Sequence, residues 1–427
     1  MIVPLLLSLL PLGPVQDQPI AFVGAQLLPI ASEPVDDGVL IVQAGRILAV
    51  GPRSEIALPP DADVRDCQGK VIMPGLICTH SHVGQPSGGD RSAPLQPEAR
   101  VIDSIDVRHA SLQRAQAGGL TCVNVMPGSG HLLSGQTVYL KLKDKGTIDE
   151  LLIRDEAGRM AGGMKMANGT NSRRDPPFPG TRAKSAALVR EAFVGAQDYA
   201  ARIARADGDP EKMPARDLAK EALVEVLEGR RVVHHHTHRH DDILTVLRLS
   251  KEFGFQVVLH HVSDGWKVAD EIAAAGAPCS IIVIDAPGGK EEALGVDFHT
   301  GGILERAGAS VSFHTDDFIT DSRLFLRSPA LAVRAGMSRA AALSGVTLEA
   351  AKQLGLDGRT GSLEVGKDAD LAILDGDPLS VRSLVHETWV EGEQVFDLAR
   401  DEDRLRAYGG YGAGDRVTRN LCCGGAR

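Results

Sequence analysis

Apolar and polar positions alternate over short runs at both ends of the chain. Residues 19–73 contain runs such as GVLIV at 38–42, separated by Gly, Pro and Asp. The same texture returns late in the chain, at 370–374 and 388–396. Alternation with a period of two, bounded by turn residues, predicts short β-strands. We therefore expect the two chain ends to form one small β-sandwich together.

Between these ends, strand-like apolar runs alternate with amphipathic helical stretches. One predicted helix begins at Asp241 and Asp242 and ends near Gly254, which fits the preference for acidic residues at helix starts and glycine at helix ends. Eight strands with intervening helices indicate an α/β fold, a (β/α)8 TIM-like barrel. The predicted barrel strands are 70–77, 121–126, 137–142, 162–167, 230–236, 255–261, 278–284 and 310–316.

The segment 168–229 is too long for one connection between two such strands. It begins polar and Pro-rich, and two helical patterns follow near 183–205 and 214–228, which predicts a helical layer over the barrel mouth. The sequence thus divides into a signal peptide (1–18), the N-terminal part of the sandwich (19–73), the barrel (74–355), the C-terminal part of the sandwich (356–400) and a tail (401–427).

The first fifteen residues are almost wholly apolar, yet they are too short for a membrane-spanning helix and contain three prolines. They indicate a secretory signal, and hence a secreted or periplasmic mature protein without a membrane span. The signal has no Lys or Arg and no clear cleavage motif. A misassigned start or a buried first strand is the alternative, and the protein would then be cytoplasmic.

Composition narrows the function classes only slightly. The chain has 427 residues, of which 43% are hydrophobic and 24% charged, with a formal net charge of -10. Because no long Lys or Arg run is present, we expect no nucleic-acid partner. Six cysteines form no C-x-x-C pair. Cys67, Cys78, Cys122 and Cys279 lie in apolar runs and are predicted to be buried thiols, whereas Cys422 and Cys423 lie in the Gly-rich tail.

Histidines gather at the ends of the predicted strands. His80 and His82, spaced i and i+2, end the first strand, so both imidazoles would lie on one face. Residues 234–236 and 260–261 are histidines at the ends of the fifth and sixth strands, and His314 and Asp316 end the eighth. Active sites of such barrels are assembled at the carboxyl ends of different strands. Imidazole and carboxylate ligands suit divalent zinc, manganese or iron.

The order H-x-H, lysine, histidine, histidine, aspartate resembles the amidohydrolase superfamily of metal-dependent hydrolases. Two further motifs carry the resemblance, MPGLI at 73–77 and GSLEVGKDADL at 361–371, and it runs from about residue 20 to 398. The run His236-Thr237-His238-Arg239 resembles the branch of imidazolonepropionase-like and secreted peptidase-like enzymes. Cys78 departs from the pattern, since many members carry an aspartate at this position.

The resemblance implies one or two divalent ions per chain, with zinc as the first expectation, and a small-molecule substrate. It implies metal ligation by His80, His82, His236, His261 and Asp316, with Asp316 also the catalytic base. Lys165 would match a carboxylated lysine that bridges two metals. The implied reaction is hydrolysis of a carbon–nitrogen bond, in a non-peptide or dipeptide amide or a cyclic amide, by metal-activated water.

Several alternatives stay open at this level. Neighbouring histidines leave the ligand register uncertain by one or two residues. Asp316 would serve equally as a helix cap, and Lys165 as a salt-bridge partner. His238 and His314 would face the substrate or only line the mouth of the barrel. Arg239 would hold a substrate carboxylate or pair with Asp241 or Asp242.

Two other functions compete with amide hydrolysis. A deaminase with a single metal commonly carries a glutamate two or three residues after the strand-five histidine. Here Thr237-His238-Arg239 follow His236, so this glutamate is missing from the motif. A non-catalytic secreted module would hold a closed, structural metal site without a base. The sequence leaves the substrate and the oligomeric state open, a homo-oligomer included.

Overall fold

The computed structural model describes residues 18–86, 90, 92–283, 291–317 and 319–410. Except for Gln18, the predicted signal peptide lies outside the described residues, as do Cys422 and Cys423. The strands are β1 (Ile20–Leu27), β2 (Val35–Gln43), β3 (Arg46–Pro52), β4 (Asp63–Asp66), β5 (Val71–Pro74), β6 (Leu76–Ser81), β7 (Leu120–Val125), β8 (Leu133–Gln136), β9 (Val138–Lys141), β10 (Met164–Ala167), β11 (Val233–Thr237), β12 (Val257–His261), β13 (Cys279–Ile281), β14 (Val311–Phe313), β15 (Leu371–Leu374), β16 (Val385–Val390) and β17 (Glu393–Asp397).

The helices alternate with the central strands and give a mixed α/β fold. They are α1 (Ala110–Ala117), α2 (Ile148–Leu151), α3 (Arg182–Ala206), α4 (Leu218–Leu227), α5 (His240–Phe253), α6 (Ala269–Ala274), α7 (Thr300–Arg306), α8 (Arg327–Arg334), α9 (Arg339–Ser344), α10 (Leu348–Gln353) and α11 (Asp401–Tyr408).

Strands from the two chain ends share one sheet. Its order is β17-β16-β15-β5-β1-β2-β3, and β4 pairs with β1 beside β5. The two ends join where β5 runs antiparallel to β15, with Leu371 opposite Pro74. Apolar residues of these strands, among them Phe22 and Trp389, form a core of their own. The predicted association of the chain ends is therefore present as a shared sheet.

The central strands form two further sheets. Strands β10 to β14 are parallel neighbours, and β6 is parallel to β7. Helices connect successive parallel strands, as the alternating pattern predicts. Thr79 Oγ1 of β6 lies 3.3 Å from Ser312 Oγ of β14, and Asp316 N donates to the His80 carbonyl at 3.1 Å. The free edge of β14 and the strand that carries the H-x-H motif are thus in contact.

The prediction of eight parallel strands is wrong at the third strand. β9 occupies the predicted segment 137–142 but runs antiparallel to β7, and β8 runs antiparallel to β10. Residues 126–137 between β7 and β9 contain no helix. Two parallel neighbouring strands need a long crossover connection, usually a helix. Because the connection from β7 to β9 has no helix, the two strands pair antiparallel.

The helical patterns after residue 180 correspond to α3, α4 and α5. Thr181 and Asp217 cap α3 and α4 by accepting from backbone N–H groups three residues ahead. α5 ends at Gly254, whose φ of 75° is the left-handed conformation that glycine adopts without strain. Phe193 of α3 stacks on Phe253 and Phe255, which fixes these helices against the strand layer.

A buried ion cluster joins β9 to the sheet of the chain ends. Lys141 Nζ lies 2.9 Å from Asp368 Oδ2 and also contacts the Asp370 carboxylate, and all three side chains are almost fully buried. Arg46 and Arg359 complete the cluster at 2.6 and 3.1 Å from Asp368. Both aspartates belong to the GSLEVGKDADL motif, so part of this motif neutralises a lysine inside the fold.

Two smaller findings complete the fold. Cys67, Cys78, Cys122 and Cys279 are buried free thiols, as predicted. None of the helices within the described residues has the length and apolar content needed to cross a bilayer.

Candidate metal centre

The H-x-H motif places two imidazoles beside one carboxylate. His80 ends β6 and is fully buried, and His82 follows it on the same side, half-buried. Asp316 Oδ1 lies 3.3 Å from His80 Nε2 and 3.1 Å from His82 Nε2. The other nitrogen of His82 lies 2.8 Å from the Met126 carbonyl, which orients the ring. Three ligand atoms therefore converge at the carboxyl ends of β6 and β14.

Backbone strain accompanies this convergence. Asp316 has a φ of 47° and His261 a φ of 72°. The left-handed region is unfavourable for residues with a Cβ, and such residues persist where the surrounding structure holds them. His261 is the last residue of β12 and Asp316 lies three residues after β14, and both side chains lie in the histidine cluster.

Lys165 lies between this group and the strand-five histidines. It is fully buried on β10, next to β11, and Lys165 Nζ lies 3.4 Å from His80 Nε2 and 3.1 Å from Met126 Sδ. Its positive charge is among the causes that lower the pKa of Asp316. Burying an isolated charged lysine carries a large free-energy cost, so groups around Lys165 must stabilise or neutralise its charge.

A second histidine group lies at the ends of β11 and β12. One ring nitrogen from each of His236, His238 and His261 lies within 4.8 Å of the others. His238 Nδ1 lies 2.7 Å from Ser263 Oγ, so this ring is held from behind. His261 Nε2 is buried and has no hydrogen-bond partner among the described residues. An orphaned imidazole nitrogen facing two further imidazoles fits a divalent cation.

Burial keeps the imidazoles of His80, His261 and His314 neutral, which is the form that binds metal. The pKa values of His80 and His261 lie well below 6.5, first because burial penalises the charged ring and then because Lys165 and neighbouring histidines repel it. Burial also lowers the pKa of His314, to about 3. For Asp316, burial raises the pKa, but the hydrogen bond from His82 and nearby positive charge lower it to about 2. Imidazole nitrogens beside an ionised carboxylate match the ligand preferences of zinc, manganese or iron.

The three residues predicted to face the substrate occupy different environments. His238 lies in the second histidine group. His314 is fully buried, stacks on His80 with ring centres 4.9 Å apart, and has its Nε2 3.3 Å from His261 Nδ1. The Arg239 side chain is 42% exposed and makes a two-point ion pair with Asp241 at the start of α5.

Asp317, which the sequence did not single out as a site residue, anchors the H-x-H strand. Its carboxylate accepts from Ser81 Oγ at 2.5 Å, from His82 N at 2.9 Å, and from Ser322 Oγ. The sequence signal for this role of Asp317 was weak, because two consecutive aspartates are also typical of a helix start. Next to it, Cys78 Sγ lies 3.1 Å from the His80 carbonyl and 3.3 Å from both Thr315 N and Thr315 Oγ1.

Loss of the Asp317 carboxylate should destabilise the fold. In Asp317→Ala, two buried hydroxyls and the His82 N–H lose their acceptor, so we expect the free energy of unfolding to fall by about 2–4 kcal/mol. Urea denaturation followed by circular dichroism measures this change. Asp103→Ala, which removes an exposed ion pair with Arg100, is the control and should cost less than about 1 kcal/mol. Equal losses in the two variants would contradict the anchoring role.

Comparisons with known proteins show which family this chain is similar to. The sequence profile of the Amidohydrolase family matches residues 105–396. Amidohydrolase tasK of Hapsidospora irregularis is 27% identical over 396 residues, or 84% of this chain and 40% of that protein, so the chain spans less than half the length of tasK. Imidazolonepropionase of Sphingopyxis alaskensis is 27% identical over 376 residues, or 81% of this chain and 88% of that protein.

A solved structure is similar over most of the chain. The crystal structure of an amidohydrolase from Thermotoga maritima MSB8 has a TM-score of 0.81 and 29% sequence identity, and the match covers 88% of this chain and 100% of that one. The resemblance inferred from the sequence motifs is thereby confirmed. Because the family profile covers more than half of its residues, the chain belongs to the amidohydrolase family, as a metal-dependent hydrolase of carbon–nitrogen bonds.

Proposed function

We propose that this enzyme opens an amide bond, most favourably in a cyclic amide, at a centre built on Asp316. One observation carries the proposal: a single carboxylate oxygen lies 3.1 and 3.3 Å from the two imidazoles of the H-x-H motif, with a buried lysine next to them. This arrangement supplies metal ligands and a proton acceptor at the same point. A purely structural metal site has no need of such a base.

The proposed ligands fall into two sets. His80, His82 and Asp316 would hold one divalent ion, and His236 and His261 would hold a second. Lys165 links the two sets if carbon dioxide converts its amine to a carbamate, which would replace a buried positive charge with an anionic ligand. Zinc is the proposed metal because it accepts imidazole and carboxylate ligands while keeping a position open. Ions held here supply Lewis acidity, which polarises the amide carbonyl and acidifies water.

The chain's own side chains handle the proton. Asp316 is ionised at neutral pH because its pKa is about 2, so it can accept a proton from the attacking water at Oδ1. The Met126 carbonyl orients the His82 ring beside that carboxylate. Asp316 then returns the proton to the leaving nitrogen, whose expulsion otherwise requires an unstable amide anion. His238, Arg239 and His314 are proposed to contact the substrate.

The substrate is proposed to be a small molecule with a cyclic amide. Support comes from the imidazolonepropionase relatives, whose name refers to an imidazolone, a ring that contains an amide carbon–nitrogen bond. N-acyl amino acids, dipeptides, hydantoins and lactams share the same bond type and extend the range to be tested.

We also propose that the two central sheets form one closed barrel of the (β/α)8 type, interrupted by the antiparallel strands β8 and β9, and that the shared sheet is a β-sandwich. Contact of β14 with β6 supports closure on one side. On the other side, β8 and β9 are consecutive strands in different sheets, and Thr137 N between them donates to the Gly163 carbonyl at 2.9 Å. The boundaries 19–73, 74–355, 356–400 and 401–427, the 1–18 signal peptide with secretion or periplasmic location, and homo-oligomerisation remain proposals.

Metal removal followed by a substrate screen tests the proposed function. The purified chain should contain about one or two zinc ions, and a chelator should abolish hydrolysis until zinc is restored. Mass spectrometry should show ring-opened products heavier by one water from hydantoins, lactams and imidazolones, and a carboxylic acid together with a free amino acid from N-acyl amino acids. Release of ammonia from an aminated heterocycle, with one ion per chain, would instead favour a deaminase. Unchanged activity after complete metal removal would overturn the proposal.

A further inference from the structure

A third group of imidazoles lies beside the proposed hydrolytic centre. His80, His260 and His314 are all fully buried, and one ring nitrogen of each lies within 4.8 Å of the others. Their ring centres are 5.1, 4.9 and 5.6 Å apart. Imidazoles that share a tetrahedral ion have ring centres about 5 Å apart, since each metal–nitrogen bond is about 2 Å. The spacing of the three rings therefore suits a common cation.

The rings of His260 and His314 each have a hydrogen-bond partner at one nitrogen. His260 Nε2 lies 3.0 Å from His234 Nδ1, and His234 Nε2 lies 2.9 Å from Tyr139 Oη. His314 Nδ1 lies 2.7 Å from Ser280 Oγ. Metal-binding histidines typically use one nitrogen for the ion and the other for such an anchoring hydrogen bond. The anchors here leave His260 Nδ1 and His314 Nε2 on the opposite sides of their rings, and His314 Nε2 also lies 3.3 Å from His261 Nδ1.

An orphaned nitrogen is independent evidence for a ligand at this point. His260 Nδ1 and His80 Nδ1 are both buried and have no hydrogen-bond partner among the described residues. Buried polar atoms without a partner are costly and uncommon in native proteins. A cation that takes up the His260 nitrogen would remove this cost.

The local backbone explains how neighbouring histidines serve different groups. Successive residues of a strand point to opposite faces. His260 of β12 lies opposite His236 of β11 in the strand register. His261 is the last residue of β12 and has a φ of 72°. This turn brings the His261 ring back toward the same cluster, next to His236 and His238. His260 is thereby left to the group that contains His80 and His314.

We propose that His80, His260 and His314 form an additional, all-imidazole metal site that selects copper or zinc over manganese and magnesium. The site contains no carboxylate, and nitrogen-only donors favour metals late in the Irving–Williams order over hard cations that need oxygen ligands. It shares His80 with the proposed hydrolytic centre, so one imidazole serves either position. The inference goes beyond the proposed function and does not depend on which bond the enzyme cleaves.

Copper binding to the full chain tests the site without using activity. In the Asp316→Asn variant, which weakens the carboxylate-containing position, we expect CuCl2 to load the His260 site. Adding His260→Gln should lower tightly bound copper by about one ion per chain in elemental analysis and remove one nitrogen-coordinated signal from the paramagnetic resonance spectrum. His299→Gln on the same background is the matched control, because His299 is exposed and distant from the cluster. Equal copper content with and without His260 overturns the proposal.

A second measurement covers the case in which His260→Gln does not fold. Crystals of the unsubstituted chain soaked in CuCl2 should show an anomalous peak within bonding distance of His260 Nδ1 and His314 Nε2. Anomalous peaks found only next to Asp316 or His236, and not at His260, would overturn the proposal. Failure of amide hydrolysis would leave both copper results unchanged, so the two proposals can fail separately.

Discussion

Asp316→Asn is expected to lower kcat by about 10²–10⁴-fold, the usual contribution of a general base, while the protein still binds metal. Asparagine keeps a carbonyl oxygen near His80 and His82 but cannot accept and return a proton at neutral pH. The left-handed φ of 47° at this position is also better tolerated by asparagine than by most residues. The loss should therefore lie in turnover and not in folding.

Steady-state kinetics and elemental analysis of the same samples measure this prediction. Asp321→Asn is the matched control, because Asp321 lies on the same loop but pairs with Arg323, away from the histidines. It should retain the activity of the unsubstituted enzyme. Full activity in Asp316→Asn would remove this carboxylate from the mechanism, and loss of metal together with activity would reduce its role to ligation.

Lys141→Met is expected to lower the free energy of unfolding by about 3–5 kcal/mol, the typical cost of leaving a buried charge without its partner. Methionine fills a similar volume, but Asp370 and Asp368 would lose the ammonium group between them. Lys145→Met is the control, because Lys145 pairs with Glu393 near the surface at 2.7 Å and its loss should cost less than about 1 kcal/mol. Chemical denaturation at neutral pH measures both values, and similar losses would contradict the prediction.

The pH dependence of the Lys141→Met effect follows from the signs of two pKa shifts. Burial alone lowers the pKa of Lys141, but Asp370 and Asp368 raise it above its ordinary 10.5, so its contribution is complete below that pH and is lost at higher pH. Burial raises the pKa of Asp368, but Lys141, Arg359 and Arg46 lower it below 3.8. Its contribution is present above that pH and is lost in stronger acid. The difference between Lys141→Met and the unsubstituted chain should thus be largest between about pH 4 and 10 and shrink on acidification.

The sequence predicted which strand ends carry the site better than it predicted which histidine of each run faces it. Period-two alternation places His80 and His82 on one face, and the structure brings both to the same carboxylate. The same rule could not assign His260 and His261, because alternation sends one of two neighbours away from the site, whereas the φ of His261 returns both to it. A backbone angle at a strand end leaves no trace in the hydrophobic pattern.

Two other features could not be read from pattern alone. The third central strand has the apolar content of a barrel strand, but its direction depends on the length and content of the preceding connection. Lys141 is a charged residue in a short strand, where exposure is the default expectation. Its burial follows from aspartates more than 200 positions away in the sequence, and only the folded chain reveals that pairing.

The shared sheet also bears on how the chain can be made. β5 is complete only when β15 lies beside it, and about 300 residues separate the two in sequence. During synthesis the early strands must therefore wait, with an unsatisfied backbone edge, until the ribosome has released nearly the whole polypeptide. We therefore expect that shortening the chain before residue 371 leaves the β5 edge exposed and promotes aggregation.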